Sequence, residues 1–358
     1  MNKSQKNKVF VGLSGGVDSS VTALLLKKKG YDVTGVYMKN WSKSLPGFHC
    51  PWREDYQDAK RVAVQLGIPF ELFDFEVEYF DKVVQYMLEE FKAGLTPNPD
   101  VMCNQEVKFK LFLDMCLDKG ADYIATGHYA NTEKGKLLKA VDESKDQTYF
   151  LYRLKAEALK HTLFPLGNLK KTEVRELAKN AGLITAAKKE SMGICFVGKV
   201  GIKDFLLHEL GPQAPGEIID QNGQILGSHD GAIFYTIGQR HGLGVGAGLP
   251  YYVIGKSMDK NQVYVTTDLN DGNLWSKQLN LTDVHWINSE PVDGNKVQVR
   301  TRHRAPLVAG TLQVASSDKD SALNTLQVAL NSEIRALTPG QSAVLYDGDH
   351  VLGGGIII

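Results

Sequence analysis

One short stretch constrains the fold more than any other. Ser14-Gly15-Gly16-Val17-Asp18-Ser19-Ser20 follows directly on the apolar run at residues 9–13 and leads directly into helix-forming residues 21–28. The run has the length of a buried strand, so the glycine turn falls at a helix N-terminus. There, unpaired N–H groups and the helix dipole attract anions. Gly15 and Gly16 let the backbone wrap a phosphate chain with no Cβ in the way.

What the loop lacks narrows its chemistry. A Walker A loop carries a lysine that holds the β- and γ-phosphates, and residues 12–19 contain none. Gly255-Lys256-Ser257 has Pro250 where the leading glycine of that motif belongs. The run Gly242-Leu243-Gly244-Val245-Gly246-Ala247-Gly248 misses the dinucleotide spacing at Ala247. Residues 14–20 instead resemble the PP-loop of ATP pyrophosphatases, which release pyrophosphate and leave an adenylated substrate.

At 358 residues the chain suggests two or three domains. No apolar signal segment follows the N-terminal residues, and no stretch approaches ~18 continuous apolar residues. A soluble, cytoplasmic protein with no membrane partner is expected. Cys50, Cys103, Cys116 and Cys195 form no Cys-x-x-Cys pair and no zinc spacing, so no metal site is expected from them. A disulfide framework does not suit a chain of this size in a reducing compartment, which leaves catalysis as the role for any special cysteine. The net charge is zero and gives no global argument for a nucleic-acid partner.

The first half alternates strand and helix signals: strands at 32–38, 70–75 and 122–126, helices at 54–66, 77–91 and 107–117. This grammar builds an α/β fold with a parallel sheet, whose ligands bind at the carboxyl ends of strands. After about Pro212 short strands take over, joined by the turn pairs Asn222-Gly223 and Asp347-Gly348. The expected organisation is a PP-loop domain over 1–205, a small central domain over 206–279 that includes residues 205–210 near its start, and a C-terminal β-barrel over 280–358. In that barrel, period-2 geometry puts Lys296, Gln298, Arg300, Arg302 and Arg304 on one face, opposite Val297 and Val299. The strip reads either as a solvated outer face or as a phosphate-backbone contact, the latter if a nucleic acid is implied elsewhere.

Two cysteine motifs supply that implication. Thr96-Pro97-Asn98-Pro99-Asp100-Val101-Met102-Cys103-Asn104 precedes a helical segment, so Cys103 is expected at a helix N-terminus that favours its thiolate. Cys195 lies in the apolar run Met192-Gly193-Ile194-Cys195-Phe196-Val197 after Lys188-Lys189, where a small buried hydrophobe is the ordinary reading.

Taken in order, Ser14 through Ser20, Met38-Lys39-Asn40-Trp41, Asn98-Pro99-Asp100 with Cys103-Asn104, Thr126-Gly127-His128-Tyr129, Lys145-Asp146-Gln147, Gly193-Ile194-Cys195-Phe196, Gly238-Gln239-Arg240 and Pro339-Gly340-Gln341-Ser342 resemble the tRNA-specific 2-thiouridylases. The match runs from near Val9 to the end of the chain. One departure is that Pro250-Tyr251 follows quickly on the glycine-rich run, where some members carry a longer insertion.

The resemblance implies ATP-dependent thiolation of the wobble uridine, position 34, of tRNAs of the Lys, Glu and Gln type. ATP, with Mg2+, would adenylate the uracil 2-carbonyl oxygen and so create a leaving group. Gly12, Leu13, Ser14, Gly15, Gly16, Val17, Asp18 and Ser19 would hold the phosphates, with Met38 and Gly127 in the nucleotide pocket. Cys195 would carry a persulfide from a sulfur-relay protein or a cysteine desulfurase. Cys103 would release that sulfur to the base and leave a Cys103–Cys195 disulfide to be reduced. Asp100 is the implied proton-transfer group, and Asn98, Pro99 and Asp100 would line the pocket of a flipped-out base. His128, Lys145, Asp146, Gln147, Arg302, His303 and Gln341 are implied tRNA contacts, although His128 also reads as a structural histidine and Gln341 as a turn residue. Cys50 and Cys116 match no catalytic motif, and Cys116 reads as a helix core residue.

Two other readings share the loop. A PP-loop amidating synthetase or lysidine-forming ligase would not need the paired cysteines. A non-catalytic nucleotide- and RNA-binding protein would bind ATP without releasing pyrophosphate.

Overall fold

The computed structural model describes residues 6–44, 49–189, 201–245, 248, 250–314 and 325–358. The first domain begins with β1 (Lys8–Gly12), α1 (Val17–Lys28), β2 (Asp32–Lys39), α2 (Trp52–Leu66) and β3 (Phe70–Asp74). A bent helix follows, from α3 (Glu76–Tyr79) through a π turn at Phe80–Val84 into α4 (Gln85–Lys92). A second begins as α5 (Pro99–Met102), widens to a π-helix at Cys103–Leu111 and ends as α6 (Phe112–Asp118). Next come β4 (Tyr123–Ala125), the short hairpin β5 (Asn131–Glu133) and β6 (Lys136–Leu138), α7 (Ala156–Lys160), β7 (Thr162–Leu163) and α8 (Lys171–Asn180), and α9 (Ile202–Leu210) leads into the central module.

β1 sits mid-sheet because Val9, Phe10 and Val11 are apolar on both faces and fully buried, as a central parallel strand requires. The sheet order is β3-β2-β1-β4-β7, all parallel. From β1 the chain steps one way to β2 and later the other way to β4. The carboxyl end of β1 is thus the crevice where a doubly wound sheet binds its ligand.

One helix starts earlier than its sequence pattern implies. Cys103 does not open it: the helix begins at Pro99, whose fixed φ suits the first helical position, with the extended Asn98 before it. Cys103 therefore lies a full turn inside.

The central sheet contains β8 (Gly216–Asp220), β9 (Ile225–His229), β10 (Tyr252–Ser257) and β11 (Gln262–Thr266), in the order β10-β11-β8-β9. The Asn222-Gly223 turn has the left-handed φ of +81° at Gly223, and Asp220 Oδ1 accepts the N–H groups of Asn222 and Gln224. α9, at the start of this module, buries Phe205 and Leu206 against the first domain's core, with the Phe205 ring 6.1 Å from that of Trp41.

Six strands close the C-terminal barrel in the order β12 (Trp275–Trp286), β15 (Leu326–Arg335), β14 (Val308–Val314), β13 (Lys296–Arg300), β16 (Ser342–Asp347) and β17 (His350–Ile357), with β17 pairing back to β12. Its core is aliphatic, with Leu279, Val299, Val328 and Leu345 all fully buried. β17 also pairs with β6 of the first domain, through His350 opposite Leu138 and Val351 opposite Leu137. That seam seats the barrel beside the first domain. No helix among the described residues is long and apolar enough to cross a membrane.

Candidate functional site

The glycine loop turns sharply at the end of β1. Gly15 has a φ of +74°, and a Cβ there would run into the carbonyl oxygen of Asp55. Within the loop, Ser14 N–H donates to Ser19 Oγ at 3.2 Å, and the Ser20 hydroxyl donates to the Gly16 carbonyl at 2.7 Å. Gly16 is the N-cap of α1 and supplies no side chain to cap it, so the first-turn N–H groups face outward for an anion. Leu13 and Val17 are buried and contribute backbone alone.

Two further strand ends close this pocket. A Cβ on Gly12 would lie 2.9 Å from Met38 Cε, which puts the end of β2 beside the end of β1. A Cβ on Gly127 would lie 2.8 Å from Ser19 N, so the bare Cα after β4 keeps that amide uncovered. All the residues expected at the nucleotide, 12–19 with Met38 and Gly127, are thus brought together. This backbone cradle fits a polyphosphate.

Asp18 carries the charge of the loop. Its carboxylate accepts from Lys171 Nζ at 2.7 Å on each oxygen and from the Tyr129 hydroxyl at 3.0 Å. The sequence reading missed Lys171, which lies in a different helix far along the chain.

The second part of the site is the start of the helix at Pro99. Asn98 hydrogen-bonds the Tyr149 hydroxyl. Burial pushes the Asp100 carboxyl above its ordinary value, with Lys108 pulling the other way. Cys103 follows on the same helix, 4% exposed. Asn104 Nδ2 donates to the Phe150 carbonyl at 3.1 Å. The ring of Phe150 lies 4.6 Å from that of His303, delivered by the barrel, and burial holds His303 below its usual pKa.

His128 joins the two parts. Its ring packs 5.6 Å from Phe109, on the helix of Cys103, while its neighbour Gly127 abuts Asp18 and Ser19. Its Nδ1 lies 2.8 Å from Thr126 Oγ1, and burial keeps the imidazole well below its ordinary pKa, hence neutral.

Several residues expected at tRNA also bond within the protein. The Asp146 side chain is 2% exposed; it accepts from Ala140 N–H and the Thr148 hydroxyl and pairs with Arg300 at 3.1 Å. Gln147 Oε1 accepts the Tyr129 N–H at 3.0 Å. Arg302 Nη2 donates to the carbonyls of Ala336 and Ile237 and to Thr338 Oγ1. Gln341 Nε2 donates to the carbonyls of Thr96 and Pro97. The strip on β13 alternates as expected up to Arg300, whose guanidinium is spent on Asp146, while Arg302 is exposed and turns its Nη2 onto the protein. Arg304, past the strand and at a φ of +64°, is exposed. A groove of about 780 Å3 runs between residues 139–146 and 300–307, with Lys145 and Arg304 in its lining.

Cys195 and its motif at 193–196 lie outside the described residues. Cys116 is fully buried, and burial raises its thiol pKa, consistent with a core role. The thiol pKa of Cys50 is likewise raised by burial.

The chain matches three family descriptions in succession: tRNA methyl transferase HUP domain over residues 7–199, tRNA methyl transferase PRC-barrel domain over 203–267, and aminomethyltransferase beta-barrel domain over 276–357. It is 47% identical over 360 residues to the tRNA-specific 2-thiouridylase MnmA of Bacillus velezensis, covering 99% of this chain and 96% of that one. Identity to the protein of the same name from Bacillus subtilis is 45%, with the same coverage.

Proposed function

The chain belongs to the tRNA-specific 2-thiouridylases, and from that premise we propose how its residues divide the reaction. It is a tRNA-uridine 2-sulfurtransferase, and tRNA is its substrate. The finer steps, together with a cytoplasmic setting and a preference for tRNAs of the Lys, Glu and Gln type, are the proposal.

A uracil 2-carbonyl is a poor electrophile with a poor leaving oxygen. ATP, accompanied by Mg2+, converts that oxygen to an adenylate, and pyrophosphate stays on the amides of residues 12–19. The wobble uridine is flipped out against Asn98, Pro99 and Asp100. Asp100, its carboxyl raised by burial, handles the proton. A persulfide on Cys195, received from a relay protein or cysteine desulfurase, attacks carbon 2 through its terminal sulfur and displaces AMP. The Cys103 thiolate then attacks Cys195 Sγ, breaking the S–S bond. The thiocarbonyl sulfur departs with the base, and a Cys103–Cys195 disulfide remains, which an external thiol reduces with two electrons.

One observation carries this reading. The tandem Gly127-His128 touches the phosphate loop with its first residue and the helix of Cys103 with its second. A nucleotide on the loop and a sulfur-handling thiol at Cys103 would thereby share one site, an arrangement that an amidating synthetase does not need.

The test is product analysis. Turnover should give AMP and pyrophosphate in step with 2-thiouridine, measured by nucleoside mass. ADP with orthophosphate, or a lysine or amide adduct on the base, would refute it. Cys195→Ser should lose both thiolation and the one-sulfur mass gain from a persulfide donor. Cys103→Ser should keep the mass gain and lose turnover. Persulfide found on Cys103 and never on Cys195 would reverse the two roles.

A further inference from the structure

The phosphate loop contains no cation, yet a cation stands at its mouth. Lys171 Nζ lies 2.7 Å from both oxygens of Asp18, and the two side chains are 13% and 30% exposed. The ammonium is largely desolvated, and the carboxylate that holds it belongs to the loop itself.

The position of Lys171 breaks a local rule. It is the first residue of α8, where the dipole presents its positive end and cations are disfavoured. Helices ordinarily gather lysines in the last turn, as α1 does with Lys27 and Lys28. A lysine at the wrong end of a helix, with its ammonium turned onto another helix's first turn, is a conflict between local preference and placement of the kind found at functional sites. The backbone N–H of Lys171 is separately satisfied by Asp142 Oδ2 at 2.9 Å, so the start of α8 is fixed independently of the side chain.

Asp18 also accepts from the Tyr129 hydroxyl, and the Lys171 ammonium lies 5.6 Å from the centre of the Tyr129 ring. Asp18 can thus surrender the lysine and retain one donor. The lysine, in turn, keeps an aromatic face beside it as it moves. A lysine and a tyrosine hydroxyl converge on one carboxylate in the first turn of α1. That concentration of donors suits a polyanion.

We propose that Lys171 is the phosphate-binding cation of this enzyme, a catalytic residue that exchanges Asp18 for the pyrophosphate moiety of ATP when the nucleotide enters residues 12–19. It performs from outside the loop the task that a Walker lysine performs from within. This assignment rests on the reading that the chain uses ATP by releasing pyrophosphate.

The experiment measures equilibrium binding of inorganic pyrophosphate and of ATP to the full chain, in EDTA and with Mg2+, beside AMP formation and thermal melting. Lys171→Met should weaken metal-free pyrophosphate binding by roughly 10- to 100-fold, the loss of one charge-assisted contact, and should leave tRNA affinity unchanged. Lys171→Arg should stay within about threefold of the wild type, since the charge is kept. Asp18→Asn removes the competitor, so metal-free pyrophosphate should bind more tightly than to the wild type, and this holds as a test even if Lys171→Met does not fold. A folded Lys171→Met that binds pyrophosphate like the wild type, or an Asp18→Asn with unchanged pyrophosphate affinity, would overturn the assignment. Wild-type protein that binds pyrophosphate through Lys171 but forms no AMP would instead remove the adenylation reading and leave the site standing.

Discussion

The side-chain amide of Gln341 donates to the carbonyl of Thr96 at 2.7 Å, across 245 positions of sequence, and to that of Pro97 at 3.2 Å. The same barrel turn accepts the Thr96 N–H on the Pro339 carbonyl at 3.0 Å. Gly340, at a φ of +89°, leaves room for this approach, since a Cβ there would lie 2.6 Å from Thr96 N. The C-terminal barrel therefore grips the segment that leads into Asn98, Pro99 and Asp100.

Gln341→Ala should leave two carbonyls without their donor and let the 96–100 segment shift. Small displacements of positioned groups are costly in rate, so the single-turnover thiolation rate should fall roughly 10- to 100-fold with tRNA affinity nearly unchanged. Stopped-time thiolation beside a tRNA binding titration checks this. Weakened binding at an unchanged rate would make Gln341 a direct tRNA contact.

Asp146 and Arg300 form a further tie between the barrel and the first domain, with side chains 2% and 12% exposed. Removing one partner of such a pair leaves a buried charge, at a cost of about 3–5 kcal/mol. Asp146→Ala should therefore lower the melting temperature sharply. The double variant Asp146→Ala with Arg300→Met should recover part of the loss, because the orphaned charge goes too. No recovery would mean that the bonds from Asp146 to Ala140 and Thr148 carry the stability instead.

The sequence reveals what is local. The strand, glycine loop and helix at residues 8–28 are contiguous, and the turns at Asn222-Gly223 and Asp347-Gly348 carry their own backbone preference. The start of the Pro99 helix was less legible, because the π segment Cys103–Leu111 departs from the 3.6-residue period on which helix reading depends. The alternation of the β13 strip is legible, with a burial pattern of exposed, buried, half-buried, buried, half-buried from Lys296 to Arg300. The partners of Arg300 and Arg302 are not, because they lie at Asp146, Ile237 and Ala336, in segments no local pattern connects. The pairing of β6 with β17 was invisible for the same reason, in a three-residue strand with no periodicity to read.

Salt dependence separates the two exposed-side arginines. Arg304 is solvent-facing, so if it touches the tRNA backbone, Arg304→Ala should lower the salt slope of tRNA binding by about 1. Arg302→Ala should leave the slope alone and lower the melting temperature, since three internal acceptors lose their donor. A slope change at Arg302 would show that it leaves those acceptors for phosphate.

Asp100 couples stability to pH with a definite sign. Burial raises its folded-state pKa above that of the unfolded chain, so its contribution is fully present below the ordinary carboxylate value of ~3.9 and is lost as pH rises through the folded value. Above the folded value the ionised, desolvated carboxylate is a cost. Asp100→Asn should accordingly melt higher than the wild type at pH 7, with the difference closing below about pH 4, while thiolation falls roughly 100- to 10,000-fold. A variant that melts lower at pH 7 would place a stabilising partner on the carboxylate.

Gly127 tests the closeness of the nucleotide loop to the strand end beside it. A methyl at this position would come within 2.8 Å of Ser19 N and 2.9 Å of the Asp18 carbonyl carbon, contacts that backbone cannot relieve without moving. Gly127→Ala should therefore push α1's first turn away from β4 and cover an amide needed for phosphate. ATP and pyrophosphate affinity should fall at least tenfold, roughly the worth of one hydrogen bond to a charged group, whereas tRNA affinity, governed by other surfaces, should hold. Equal losses in both affinities would mean that the strain spreads through His128 into the helix of Cys103, and that the two parts of the site cannot be perturbed one at a time.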